Sequence, residues 1–165
     1  NGKLLRNKIK NHPRYPYHLL REEMQEFILD KLQLLIERKL IKGIGENGTE
    51  YTVIAQILDL PKEILRLIQK FDFTKKNPKL IYINTGETMI SLQDSILVTF
   101  LNLAGFDILF FVPTGYQSVE NYFAEKLMEE HQIGEYKYDM QVPDLNNIST
   151  NSTRPSWRRK LFRRG

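Results

Sequence analysis

The sequence predicts an α/β protein: a helical N-terminal part followed by a small Rossmann-like β-α-β-α-β parallel sheet, within a larger protein. Three observations carry this. Between Leu19 and Lys70 apolar residues recur at three- and four-residue steps, the period of a helix, with a glycine break at Gly43, Gly45 and Gly48. The composition then changes over Phe71 to Lys79, a connector holding Asn77-Pro78. Beyond it, short apolar runs alternate with helix-like stretches, the order of a parallel sheet with crossover connections.

Each element has a local reason. Residues 1–18 are polar, basic and broken by Pro13 and Pro16, and read as an arm that enters the fold near Tyr15 and Tyr17. A helical lead-in occupies 19–72. Its first helix spans 19–41, with Leu20, Met24, Phe27, Ile28 and Leu35 on one stripe and Glu22, Glu23 and Glu26 near the positive end of the helix dipole. Helical runs at 51–58 and 62–70 flank Asp59-Leu60-Pro61, and Pro61 suits a helix start.

A small α/β unit fills 78–142. Leu80-Ile81-Tyr82-Ile83 is a first strand. Ser91 with Asp94 forms a capping-box pattern for a helix that stops at Gly105. Residues 107–112 form a second strand, unbroken by polar residues after Asp107, as in strands buried on both faces. A helix over 118–131 and a weaker third strand over 136–140 complete the alternation. Residues 143–165 read as an irregular basic tail.

Composition bounds the function classes. The chain has 165 residues, the size of one ordinary domain, and no cysteine. Disulfides, thiolate metal sites and a Cys nucleophile are thereby excluded, in keeping with a reducing compartment. No apolar run is long enough for a membrane span, and no signal peptide is visible. The chain opens on Asn1, which fits a piece of something longer.

The net charge of +4 is segregated. Six cations and no acid precede Glu22, and six more cations and no acid lie from Arg154 onward. Between them stand twelve basic and twenty acidic residues, a body at −8. Such basic ends can touch a partner, nucleic acid or an anionic surface, and equally can be solvated termini. In the tail Trp157 and Phe162 sit among Arg158, Arg159, Lys160, Arg163 and Arg164, a pattern that stacks bases or docks back on the domain.

The best local signal for chemistry is a repeat. Thr85-Gly86 follows the first strand and Thr114-Gly115 follows the second, 29 residues later. In an open parallel sheet both turns lie at the carboxyl edge, where ligands bind. Glycine allows close backbone approach and anion nests, and Thr adds a hydroxyl. The candidate ligand-binding residues are Thr85, Gly86, Thr114, Gly115, Tyr116 and Ser118, with Glu87 the weak candidate base. Thr-Gly is also an ordinary strand exit, and neither G-x-G-x-x-G nor a P-loop is present. His12, His18 and His131 are isolated, so no metal site is expected. Val53 to Ile68 reads either as a helix-turn-helix or as an αα-corner. Glu63 and the acidic body favour the corner, and make nucleic acid a poor partner.

The stretch Gly105-Phe106-Asp107-Ile108-Leu109-Phe110-Phe111-Val112-Pro113-Thr114-Gly115-Tyr116, with Ser118, Glu120 and Tyr122, resembles the C-terminal part of the YceG-like bacterial proteins. Phe71-Asp72-Phe73 and Pro78 fit the same resemblance. It implies a cytoplasmic tellurite-resistance and stress-response setting, a place in a longer chain, and other stress-response proteins as partners. It also implies a link to nucleotide-like metabolites and carries over no catalytic residue or cofactor. Two functions follow as expectations: an anionic or nucleotide-like ligand at the Thr-Gly edge, or a non-catalytic interaction module with basic arms. The residues assign no reaction.

Overall fold

The computed structural model describes residues 3–70, 76–86, 90–116 and 119–142. Among them the element order is α1 (Arg6–Lys10), α2 (Glu22–Glu37), α3 (Thr49–Ile57), α4 (Lys62–Lys70), β1 (Lys79–Ile83), α5 (Leu92–Leu103), β2 (Asp107–Phe111) and a 3-10 turn, Val119–Tyr122.

The core is helical. In α2, Ile28, Leu29, Leu32 and Leu35 are fully buried on one stripe, and Val53 and Ile57 of α3 and Ile96, Phe100 and Leu101 of α5 meet the same core. The segment before α2 is packed on this body. Leu4, Tyr15 and Tyr17 belong to the core, and the Leu4 N–H donates to Gln33 Oε1 at 2.6 Å. Tyr17 holds the bend between α3 and α4. Its hydroxyl donates to the Ile57 carbonyl at 2.5 Å and accepts from the Leu60 N–H at 3.0 Å. Leu60 and Ile68 are buried, while Lys62, Glu63, Arg66, Gln69 and Lys70 face outward.

Helix α5 begins as its sequence dictates. Ser91 Oγ accepts from the Asp94 N–H at 3.0 Å, satisfying one of the donors a helix start leaves open. Gly105, at φ 100°, leads out of its end. The helix is the crossover between β1 and β2, which pair in parallel from Lys79 opposite Asp107 to Ile83 opposite Phe111.

The expected β-α-β-α-β sheet is not what forms. The described residues hold five helices and one sheet of two strands, so the protein is mostly helical. Two expected elements fail for physical reasons. The helix expected over 118–131 shrinks to the 3-10 turn, because the chain after it pairs with another segment. Lys42 N–H donates to the Tyr122 carbonyl, Ala124 N–H to the Leu40 carbonyl, and Ile41 bridges Phe123 antiparallel. Residues beyond Ala124 offer no apolar stripe to the core except Met128. The third strand expected over 136–140 joins neither β1 nor β2. Every residue over 135–142 is exposed, so the run turns no apolar face to a layer, Asp139 breaks it at φ 53°, Tyr136 rests on Gly115, and Lys137 makes a backbone hydrogen bond to the Pro113 carbonyl at 2.8 Å.

Candidate functional site

The parallel pairing sets the geometry of the sheet's carboxyl end. Asn84 N–H donates to the Phe111 carbonyl at 2.9 Å, extending the ladder one residue past the strands. The Thr85-Gly86 and Thr114-Gly115 turns therefore leave the same edge of the sheet. Glu87, Ser118 and the tail residues Trp157, Arg158, Arg159, Lys160, Arg163 and Arg164 lie outside the described residues.

The polar groups at this edge are largely used locally. Gly86 N–H is taken by Asn84 Oδ1 at 3.2 Å. Thr114 is buried, and its Oγ1 accepts from the Tyr116 N–H at 3.3 Å. Gly115 sits at φ 70°, where glycine is favoured, and a Cβ there would come within 2.2 Å of the Tyr136 ring. The close approach that the glycine permits is thus to the protein's own Tyr136. Sequence reasoning missed this contact, because residues 21 apart in irregular chain share no periodicity. Tyr82, near the start of α5, has its phenol pKa raised by burial, with the Asp94 carboxylate adding to the effect.

The two faces of the sheet differ more than its ends. On the inner face Leu80, Tyr82, Ile108 and Phe110 are half-buried, and the Tyr82 and Phe110 rings stack 4.9 Å apart. On the outer face Ile81 and Ile83 lie beside Leu109 and Phe111, and all four are exposed. Lys79 and Asp107 close one end of this face with a 2.7 Å ion pair, and the Lys79 ammonium, helped by Asn77, holds the Asp107 carboxyl below its usual range. The sequence signal for the face was present in the unbroken run Ile108 to Val112, which has the pattern of a strand covered on both sides.

The leading basic residues are partly neutralised by the body. Arg6 pairs with Asp30 at 2.6 Å and Glu26 at 3.1 Å, and Lys10 pairs with Glu26 at 2.8 Å and with Glu22. Lys10, with Arg6 adding, lowers the Glu26 pKa. An open groove of about 620 Å³ runs beside these pairs between Lys3 and Glu37. Another, of about 460 Å³, is floored by Leu5, Ile9 and Leu58 and rimmed by Lys8 and Arg14. Beside it Tyr15 Oη is buried without a hydrogen-bond partner. Among the described residues no three His, Asp or Glu side chains gather as a metal set, and no helix is long and apolar enough to cross a membrane.

The YceG domain matches residues 1–153 of this chain. The "Uncharacterized protein YceG" of Bacillus subtilis (strain 168) is 31% identical over 93 residues, which is 54% of this chain and 17% of the Bacillus protein. The chain therefore matches about a sixth of that relative's length. No solved structure matches the chain.

Proposed function

The chain belongs to the YceG domain family, and from that premise we propose that it works as a non-catalytic docking module within a larger protein assembly. The observation that carries this reading is the outer face of the sheet. Four large apolar side chains, from adjacent strands and in register, stand together in water. Scattered apolar residues on a surface need no explanation, but a contiguous patch marks an interaction site. Parallel sheets, moreover, occur with both faces covered. The stress-response and tellurite-resistance setting that the sequence resemblance implies is where this docking would operate.

The test is binding of the apolar dye anilinonaphthalene sulfonate to the 165-residue chain, which is fluorescent only on exposed apolar surface. The parent chain is expected to enhance emission. The Ile83→Lys/Leu109→Lys double variant, with far-ultraviolet circular dichroism unchanged, is expected to lose at least about half of that enhancement. Emission unaffected by the two substitutions sinks the reading.

A second reading keeps one specific observation, the two Thr-Gly turns on one edge of a parallel sheet. It is a site for a phosphorylated or nucleotide-like small molecule beside Thr85 and Tyr116. A thermal-shift series with inorganic phosphate, nucleotides and phosphosugars tests it, since a ligand of the native state raises the midpoint by mass action. The shift should disappear in Thr85→Val. No shift with any of them removes this reading and leaves docking alone.

A further inference from the structure

We propose that the outer face of the sheet is the seat of a helical segment carried on the same polypeptide outside these 165 residues, with an apolar stripe of Leu, Ile or Val type. This rests on the docking reading and names the occupant. Three observations point to it.

The first is the mismatch between sequence and exposure. Residues 108–112 are apolar at every position, the pattern of a parallel strand covered on both faces. One face is covered by the core under α5, while Leu109 and Phe111 point the other way and are about half exposed. A covered strand is what the residues are built for, and the described chain supplies one layer of the two.

The second is size. Four half-exposed side chains make a narrow patch, one strand pair wide and five residues long. A standard interface between free proteins buries about 800 Å² on each partner. Such an interface takes about 20–30 residues a side, and this face offers four, so a second copy or a freely diffusing partner would gain less here against its lost translational and rotational freedom than a tethered segment does. A segment on the same polypeptide meets the face at high effective concentration and loses far less. A helix lying across two strands matches the patch in width, as helices do in layered α/β architecture.

The third is the length of the relative. The shared stretch is 17% of the Bacillus YceG protein, which therefore has abundant further chain. The chemistry of the face fixes what that segment must offer. Ile81, Ile83, Leu109 and Phe111 ask for aliphatic side chains at helical spacing. The Lys79–Asp107 pair at the amino end of the strands marks where the apolar stripe must stop, since covering that pair would desolvate two charges.

The absence of cysteine makes a clean experiment possible. Leu109→Cys is introduced into the 165-residue chain and into the full polypeptide that the gene encodes, and labelling by a maleimide is timed in each against the same protein without the substitution. Ile81→Cys serves as a second reporter should Leu109→Cys impair folding. The expected result is fast labelling in the short chain and labelling at least about tenfold slower in the full polypeptide, at a rate independent of protein concentration. Fast labelling in both overturns the same-chain occupant, while the dye result keeps the docking reading separately alive. Protection that grows with protein concentration assigns the face to a second copy and also overturns it. Slow labelling in both shows the face closed within the 165 residues, and then both readings fall.

Discussion

Ile28, Leu32 and Phe100 are wholly buried, whereas Ile81, Ile83, Leu109 and Phe111, side chains of the same kind, are 41–56% exposed. The first group lies where α2, α3 and α5 pack together, the second on the outer face of β1 and β2. A helix needs its neighbours on one stripe only, and here the neighbours come from the same 165 residues, including the N-terminal segment that brings Tyr15 and Tyr17 into the core. A parallel strand needs a layer on each face. The crossover helix supplies one of them as a consequence of the topology, and the other must come from chain that is not adjacent in sequence. The helical body is therefore closed by helices and a leading segment that these 165 residues themselves contain, several of them distant in sequence, and the sheet is left with one face open.

The comparison breaks first at its strongest point. Phe100→Ala removes a wholly buried ring where α5 meets α2 and α3, and should cost about 3–5 kcal/mol. Urea unfolding followed by circular dichroism reads this directly. A loss below about 1 kcal/mol would mean that the helical body is not the folding core and that the contrast with the sheet is misplaced.

The next effect sits where the N-terminal segment closes the body. Tyr17→Phe deletes the hydroxyl that serves both the Ile57 carbonyl and the Leu60 N–H, and should cost about 1–3 kcal/mol through the two backbone groups left unpaired. It also carries a pH signature. Burial pushes the Tyr17 phenol up to about 12. The unfolded chain ionises near pH 10, as free tyrosine does. The contribution is therefore complete below pH 10 and is lost as pH rises from there to about 12, where the folded form also ionises. The variant should show a shallower alkaline decline. Tyr15 and Tyr82, whose pKa values are also raised by burial, leave a residual slope.

A third, smaller effect probes the joint between the sheet and the irregular segment. Gly115→Ala imposes a side chain at φ 70° and drives it into the Tyr136 ring. The left-handed conformation costs about 1–2 kcal/mol for a residue with a Cβ. Much of the relief should come from release of 136–142, seen as faster amide exchange at Lys137, whose N–H is held by Pro113. Unchanged exchange there would show that the segment is fixed by something other than this turn.

What was legible in the sequence follows the same division. The stripe Met24, Ile28, Leu35 and the capping pair Ser91 and Asp94 each describe a purely local physical event, and α2 and α5 form accordingly. The parallel pairing of β1 and β2 follows from an intervening helix that must be crossed. The third strand and the last helix failed because both rested on local pattern where distant pairing decides. Residues 118–131 read as a helix, yet the chain leaves that path to bridge Phe123 to Ile41, a contact across 82 residues that no periodicity announces. At the candidate edge the repeat of Thr-Gly was visible, but the Tyr136 ring seated on Gly115 was not. The exposed outer face was hidden for the opposite reason: the sequence of β2 describes a covered strand, and the cover is not among the described residues.

The smallest expected effect, at Ile81, is the most informative about the comparison when the same chemical change is made at Ile28. Ile28→Thr and Ile81→Thr both exchange the ethyl group on Cβ for a hydroxyl while keeping the Cβ methyl and the branch. In α2 the hydroxyl would be wholly buried, and the loss should exceed about 2 kcal/mol. In β1 Ile81 is 56% exposed, threonine suits a strand, and the change should stay within about 0.5 kcal/mol in the 165-residue chain. Equal losses at the two positions would mean that the outer face is already covered and the contrast is false. A small loss in the short chain that becomes large in the full polypeptide would locate the missing layer: the same threonine would then be buried by chain that these residues do not include.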